Sequence, residues 1–249
     1  TGLVEHLFST RMGGVSKGIF ATMNLSFTRG DEEAAVQENF RRIAKVMHGK
    51  KEDFVCSDQT HTVNIRKVTK EDKGKGVLRE KDYRDIDGLV TDEPGIILSC
   101  FFADCVPLYF LDTKKKVIGL AHSGWRGTVN RMGREMTAFM EKEYGCRKED
   151  MIAAVGPSIC ADCYEVSEDV ADAFRREFGE DVLSAGREEE KYQLDLWRAN
   201  EKVLLDAGLT GAQISVTDIC TCCNEDKLFS HRASKGKRGN LGAFLSLRE

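Results

Sequence analysis

The stretch at residues 101–112, "FFADCVPLYFLD", contains two apolar runs separated by an acid and a thiol. The runs on either side have the length and composition of buried strands. Asp104 and Cys105 stand at the break, where the chain is expected to surface between the two strands. A thiol at such a break is a small core residue, a nucleophile or a metal ligand.

Further runs of strand length surround this stretch, each bounded by Gly, Asp, Pro or charged residues. They read "DFVCS", "TVNIRKV", "IDGLVT", "GIILSCFF", "KVIGLAHS", "MIAAVG", "QISVTD" and "LGAFLSL". The spacing of apolar side chains predicts four amphipathic helices, at residues 31–48, 131–145, 167–179 and 195–208. Because strands follow one another with helices only at intervals, this order predicts one α+β domain over residues 1–249 with mixed sheets.

The ends of these helices carry their own signals. Asp31 and Ser167 are the expected N-caps, and Gly145 and Gly179 are the expected helix ends. The charged stretches "KEDKGKGVLREKD" (70–82) and "GREEEK" (186–191) are expected to form solvated loops.

Composition excludes several classes of protein. The chain has 249 residues with 41% hydrophobic content, enough for a substantial core. A net charge of −4 argues against a nucleic-acid or membrane-surface binder, which would need a dominant basic face. No apolar run of about 20 residues is present, so no segment is expected to span a bilayer. The nine cysteines, an odd number, and the lack of a signal-peptide pattern favour reduced thiols in a cytoplasmic protein.

Polar residues suited to chemistry gather at the ends of the predicted strands. His61 comes just before one strand, Cys105 lies at the break described above, and His122 ends the run "VIGLAHS". Burying an imidazole requires partners for both nitrogens, so three such positions are unlike ordinary core residues. Two imidazoles and one thiolate with a vacant position are typical of catalytic zinc.

Two other cysteine groups compete for a metal. "CADC" (160–163) has a two-residue gap typical of zinc knuckles and redox pairs, and "CTCC" (220–223) offers a partner for it. A structural zinc with four thiolates is therefore an alternative. The residues flanking "CADC" favour a pocket wall instead, because they lack a knuckle-like glycine.

Several motifs together resemble the YfiH-like family, also called the laccase-domain or polyphenol-oxidase family and regarded as purine nucleoside phosphorylases. They are "HLFSTRMGGVSKGIFATMNLSF", "DQTH", "DGLVTDEPGIILSCFFADCVPLYFLD", "GLAHSGWRGT", "AVGPSICADCYEV" and "CTCCNEDKLFSHR", in the family order and nearly end to end. "ADCVP" and "AHSGWRG" are the most specific. The resemblance implies a layered α/β/β/α fold and zinc held by His61, Cys105 and His122.

The resemblance also implies phosphorolysis of adenosine, inosine, guanosine and methylthioadenosine, with adenosine deamination alongside. The partners would then be nucleoside and phosphate. Catalytic roles are expected for His61, Cys105, His122, Asp104 and Arg126, with Asp104 moving protons. Substrate contacts are expected from Arg11, Asn24, Gln59, Cys163, Tyr164 and Arg232. Among the arginines, Arg11, Arg126 and Arg232 are the candidates for binding phosphate, because a guanidinium group can donate two parallel hydrogen bonds to it. The loop at residues 231–240 departs from the family pattern, with His231 where a tyrosine is usual.

Three other functions stay open at this stage. Five histidines are too few for a multicopper oxidase, and a single copper site is less favoured than zinc because its ligands are usually clustered. Cys105 with His122 as base would make a cysteine hydrolase acting on an amide or a cell-wall precursor. A non-catalytic nucleoside-binding or regulatory protein is the third. Sequence alone does not fix the oligomeric state.

Overall fold

A computed structural model describes residues 2–248 of the chain. Its strands are β1 (Val4–Phe8), β2 (Phe54–Cys56), β3 (Ile65–Lys67), β4 (Gly88–Thr91), β5 (Ile97–Phe102), β6 (Val106–Asp112), β7 (Val117–Ser123), β8 (Met151–Val155), β9 (Glu165–Ser167), β10 (Leu183–Ala185), β11 (Lys191–Leu194), β12 (Ile214–Val216) and β13 (Leu241–Leu247). Its α-helices are α1 (Glu33–Val46), α2 (Trp125–Val129), α3 (Met132–Tyr144), α4 (Glu168–Phe178) and α5 (Leu196–Asp206). None of these helices is long and apolar enough to cross a membrane.

The four predicted helices are confirmed as α1, α3, α4 and α5, and Ser167, Gly145 and Gly179 occupy the expected end positions. The N-cap of α1 is Glu32, so the prediction for Asp31 is wrong by one residue. The Asp31 carboxylate instead accepts the backbone N–H of Glu32 at 2.9 Å. The short helix α2 is not among the four predicted helices.

The strands form two main mixed sheets and a small third one. The order in the four-stranded sheet is β1-β13-β5-β2, and in the six-stranded sheet it is β12-β8-β6-β7-β4-β3. The third sheet, β10-β11-β9, is antiparallel and covers one end of α4. Strands β1, β9, β10 and β11 were not predicted, since all four have only three to five residues and carry partly exposed side chains.

Three apolar layers show how the sheets and helices stack. Phe40 and Ile43 of α1 pack against Phe54 and Phe244 on the outer face of the four-stranded sheet. The inner faces of the two main sheets meet in a core that includes Leu98, Phe102, Ile118, Leu120 and Leu245. Helices α3, α4 and α5 cover the far face of the six-stranded sheet in a third core that includes Met136, Phe174 and Val203. The expected α/β/β/α layering is therefore confirmed.

The stretch at residues 101–112 joins the two main sheets. Its first apolar run ends β5 in the four-stranded sheet, and its second run is β6 in the six-stranded sheet. Residues 103–105 therefore cross from one layer to the other. Asp104 makes this crossing with a left-handed backbone, φ 88°.

The lysine-rich segment at residues 70–82 is less solvated than expected. Lys75 is only 8% exposed, and its ammonium group donates to the carboxylates of Asp72 at 2.7 Å and Asp82 at 2.9 Å. A buried ammonium is tolerated when carboxylates pair with it. The segment at residues 186–190 does form an exposed turn between β10 and β11.

Candidate metal centre and adjoining cavity

Strand pairing brings the three sequence-predicted ligands to one edge of the six-stranded sheet. β6 and β7 are antiparallel, with Val106 opposite Ser123, so Cys105 before β6 lies near His122 at the end of β7. β3 and β4 are parallel, and β4 is antiparallel to β7, so the segment preceding β3 reaches the same edge. His61 lies in that segment.

The ligand atoms of His61, Cys105 and His122 lie within 4.8 Å of one another. The two imidazole rings meet edge to face, with centroids 4.9 Å apart. His122 is 4% exposed, whereas His61 is an exposed side chain on a left-handed backbone, φ 67°. These three residues can hold a metal ion, and His61 is the one that lies on the solvent side of the site.

Asp87 organises this cluster from behind. Its Oδ1 lies 2.7 Å from Nδ1 of His122, which leaves Nε2 of that ring to face the cluster. The same fully buried carboxylate accepts the backbone N–H groups of Thr60, His61 and Thr62 at 3.1, 3.2 and 2.9 Å. A carboxylate behind a metal-binding histidine fixes its tautomer and its orientation. Asp87 therefore positions both histidines.

The cluster also shifts the acidity of its own groups. Burial alone would raise the pKa of the Cys105 thiol, but His122 and His61 outweigh it and lower that pKa to about 6. Burial alone would lower the pKa of His122, but the Cys105 sulfur and the Asp87 carboxylate outweigh it and raise that pKa to about 9. Without a metal, Cys105 and His122 thus form a thiolate–imidazolium pair near neutral pH.

The lack of a side chain at Gly124 makes room for the His61 and Cys105 side chains. A Cβ at this position would lie 2.9 Å from Cδ2 of His61 and 3.1 Å from Sγ of Cys105. Both distances are below ordinary van der Waals contact. The glycine that precedes α2 is therefore required by packing at the site. Its φ of −74° does not itself require glycine.

A cavity of about 460 Å³ opens next to the cluster. His61, Cys105 and His122 form part of its wall, and Phe27 and Phe101 contribute partly exposed aromatic side chains. Small-molecule sites in proteins commonly occupy about 300–1,000 Å³. The volume and the mixed polar and aromatic lining suit a small molecule with a ring and charged groups.

Two arginines, Arg29 and Arg238, give one wall of the cavity a positive charge. Among residues 2–248, no carboxylate forms an ion pair with either of them, and the buried Nε of Arg238 has no hydrogen-bond partner there. Burial and the neighbouring Arg29 lower the pKa of Arg238 to about 10. Lys81 also lines the cavity, but its ammonium group is paired with Asp58 at 2.5 Å. Arg29 and Arg238 thus lack a carboxylate partner in the described chain, although Arg29 donates to the carbonyls of Arg238 and Gly236, and Arg238 donates to Gly239 and Asn240.

Gln59 lines the cavity, as its expected role in substrate contact requires, but its amide is already engaged. Its Oε1 accepts the N–H of Phe101 at 2.6 Å, and its Nε2 donates to the Phe101 carbonyl at 2.7 Å. Asn24 is fully buried and accepts the backbone N–H of Asn240 at 2.9 Å, which holds the loop that carries Arg238. Direct contact of either amide with substrate stays a prediction.

Asp104 lies beside the cluster, but both of its carboxylate oxygens are occupied. Oδ1 accepts the hydroxyl of Thr221 and Oδ2 accepts the backbone N–H of Arg232, each at 2.7 Å. These bonds brace the crossing between the sheets. The predicted proton transfer by Asp104 would require one of them to open, and it stays a prediction.

The three arginines expected to bind phosphate lie in different places. Arg11 donates to the carbonyls of Ala21 and Glu225 and stacks over Phe229, away from the cavity wall. Arg126 is exposed on α2, with its guanidinium over the ring of Trp125 at 4.2 Å. Their phosphate contacts stay predictions.

Arg232 lies over the ring of Tyr164 at 5.3 Å and donates to the carbonyls of Cys163 and Glu165. Cys163 itself belongs to a group of four cysteines behind Asp104. The structure thus brings Tyr164, Cys163 and Arg232 together, and none of the three lines the cavity. Their contact with substrate stays a prediction.

Comparison with known proteins identifies the family. The model of the family described as "Multi-copper polyphenol oxidoreductase laccase" matches residues 5–248. The chain belongs to this laccase family. The resemblance drawn from the sequence motifs is therefore confirmed.

Relatives in the laccase family carry a different functional name. A protein of Bacillus subtilis named purine nucleoside phosphorylase YlmD is 38% identical over 244 residues, covering 97% of this chain and 88% of the relative. A solved structure of YlmD from Geobacillus stearothermophilus has 37% identity and a TM-score of 0.92, covering 99% of this chain and 92% of that one. The structure of the Bacillus licheniformis hypothetical protein YfiH has 34% identity and a TM-score of 0.94, with coverages of 98% and 93%.

Proposed function

We propose that this chain is a zinc-dependent purine nucleoside phosphorylase. The observation that carries the proposal is that one cavity is lined both by the His61–Cys105–His122 cluster and by two arginines without carboxylate partners, Arg29 and Arg238. The names of the bacterial relatives support it. The substrates would be adenosine, inosine, guanosine and methylthioadenosine, with phosphate as second substrate.

Zinc suits the donor set better than copper does. Two imidazoles, one thiolate and an open position are the pattern of catalytic zinc, and the Asp87 carboxylate supplies the expected partner behind His122. A blue-copper site adds a distant methionine, and the residues that line the cavity include none. When bound, zinc would supply a Lewis acid and a water molecule of lowered pKa.

Phosphate would be held by Arg29 and Arg238. Guanidinium groups pair with phosphate oxygens through two parallel hydrogen bonds, and the unsatisfied Nε of Arg238 is a donor ready for such an oxygen. One phosphate oxygen would then form a bond to C1′ of the ribose as the bond from C1′ to the purine nitrogen breaks. The products would be ribose-1-phosphate and the purine base, which takes up a proton.

The aromatic side chains would orient the purine ring. Phe27 and Phe101 line the cavity and are partly exposed, so their rings are the ones available to a purine. Stacking on these rings tolerates different purines, because every purine presents the same π-face. This arrangement would allow the chain to accept several nucleosides. In this orientation the amino-bearing carbon of adenosine would lie within the same cavity, where adenosine deamination would occur. We propose that both reactions take place in the cytoplasm.

A second candidate function rests on the acidity of Cys105. A thiol whose pKa is lowered to about 6 beside a histidine is an activated nucleophile, as in cysteine hydrolases. Such an enzyme would cleave an amide or a cell-wall precursor and would be inhibited by zinc. Alkylation of Cys105 in metal-free protein would then abolish activity that zinc removal had left intact.

The deciding experiment combines metal analysis with turnover. Purified protein is assayed with adenosine and phosphate, and adenine, ribose-1-phosphate and inosine are quantified. We expect bound zinc, phosphorolysis, and loss of turnover in folded Cys105→Ala and His122→Ala variants. Full activity in either variant, or nucleoside binding without turnover by zinc-loaded protein, would contradict the proposal.

The phosphate subsite has its own test. Arg238→Gln should raise KM for phosphate by about 10- to 100-fold, the equivalent of losing charge-assisted hydrogen bonds of about 1.5–3 kcal/mol. Arg134→Gln is the matched control, because Arg134 is exposed on α3 behind the other face of the sheet. Equal KM values for the two variants would remove Arg238 from the subsite.

A further inference from the structure

A second group of metal-binding side chains lies behind Asp104, outside the cavity. Sγ atoms of Cys160, Cys163, Cys220 and Cys223 all lie within 4.8 Å of one another. They come from two segments, each with a two-residue gap between its cysteines. Paired C-x-x-C segments of this kind are typical of structural zinc sites.

The distances between sulfur atoms fit a tetrahedral ion. Four sulfurs at about 2.3 Å from a zinc ion lie about 3.8 Å from one another. Sγ of Cys223 lies 3.5 Å from that of Cys163 and 3.9 Å from that of Cys160. A disulfide would require about 2.05 Å, and all four cysteines are free. The distances between the sulfur atoms therefore fit four thiolates bound to one metal ion.

The backbone of the two segments also favours thiolate ligands. The N–H groups of Cys160 and Cys223 both donate to Sγ of Cys220 at 3.3 Å. Hydrogen bonds of this kind stabilise a negatively charged sulfur. Arg187 and Arg232 donate to the carbonyls of Asp162 and Cys163, which brings positive charge to the same turn. A zinc ion with four thiolates carries a net charge of −2, and these guanidinium groups offset it.

We propose that Cys160, Cys163, Cys220 and Cys223 bind a structural zinc ion as four thiolates. Each thiol releases its proton to solvent as the ion binds. With four protein ligands the site is closed, so the ion takes no substrate. This proposal does not depend on the function of the His61–Cys105–His122 cluster.

The consequence of this ion would be to join two segments that brace Asp104. Ile159, next to Cys160, donates its N–H to the Asp104 carbonyl at 3.0 Å, and Thr221, next to Cys220, donates to Oδ1 of Asp104 at 2.7 Å. The metal would therefore hold the crossing at residues 103–105 from outside the cavity. Its loss should loosen the crossing and the adjacent Cys105.

The test uses full-length protein in which the first site is disabled. His122→Ala protein, purified without chelators, should retain about one zinc per chain, with an X-ray absorption spectrum of four sulfur ligands at about 2.3 Å. This measurement needs no cysteine substitution, so it does not depend on the folding of a cysteine variant. Absence of zinc, or a spectrum with nitrogen ligands, would overturn the proposal.

Cysteine variants then identify the ligands. In the His122→Ala background, Cys160→Ser and Cys223→Ser should each lose the zinc. Cys222→Ser is the matched control and should retain it, because Cys222 lies in the same turn but outside the group of four. Retention of zinc by Cys160→Ser or Cys223→Ser would overturn the assignment. A Cys163–Cys223 disulfide found by mass spectrometry in protein purified under reducing conditions would do the same.

Discussion

Replacing Gly124 with alanine would add one methyl group between His61 and Cys105. The added carbon would lie 2.9 Å from Cδ2 of His61, whereas carbon atoms in ordinary contact are about 3.5–4.0 Å apart. The exposed His61 ring would therefore have to withdraw by about 0.6 Å or more. Metal–ligand distances tolerate only about ±0.2 Å. We expect zinc affinity to fall by about 10- to 100-fold, or about 1.4–2.8 kcal/mol.

The assay must report this site alone. Added zinc should protect Cys105 from alkylation, and peptide mass spectrometry follows that cysteine as zinc is titrated. Gly127→Ala is the matched control in α2. Its added carbon would lie 3.5 Å from the His122 carbonyl oxygen, which is an ordinary contact distance. If Gly124→Ala protects Cys105 at the same zinc concentration as the wild type and Gly127→Ala do, the packing argument is refuted.

Three further predictions concern the carboxylate, the thiol and the core. Asp87→Asn should lower zinc affinity by about 10- to 100-fold in the same protection assay, because the His122 ring loses its charged partner; unchanged affinity would show that Asp87 does not position the ring. In metal-free protein, the alkylation rate of Cys105 should rise with pH and reach half its maximum near pH 6, since the thiolate forms above its pKa of about 6. His122→Ala should move that midpoint upward, because burial then acts with less opposition, and an unmoved midpoint would contradict the assigned cause. Phe40→Ala should lower the free energy of unfolding by about 3–5 kcal/mol, measured by urea denaturation, since Phe40 is fully buried between α1 and the four-stranded sheet.

The three candidate metal ligands could be predicted from the sequence because each stands at the boundary of an apolar run. Strand ends that meet at one sheet edge bring such residues together, and the pairing of β4, β6 and β7 does so here. The layering was predictable through the resemblance to the family. The order of strands within each sheet was not, since neighbouring strands such as β13 and β5 are far apart in the chain.

Asp87 and Arg238 show what sequence patterns miss. Asp87 precedes a strand and looks like an ordinary loop acid, and its role appears only when β4 lies beside β7. Arg238 lies in the loop that departs from the family pattern, and its importance follows from burial without a carboxylate partner in the described chain. Lys75 was expected in solvent because its two carboxylate partners are not evident from composition. Each of these roles is a property of three-dimensional neighbours.

The crossing of residues 103–105 between the two sheets gives the metal centre an uneven mobility. His122 belongs to β7, which is packed in the cores, so its amide should exchange with solvent deuterium only on global unfolding, and Cys105 is held between the packed strands β5 and β6. His61 lies on an exposed segment that can open locally while the sheets stay intact. We therefore expect an incoming ion to meet Cys105 and His122 already in place and to recruit His61, so that metal exchange would proceed in the native state through the side of the centre that His61 covers.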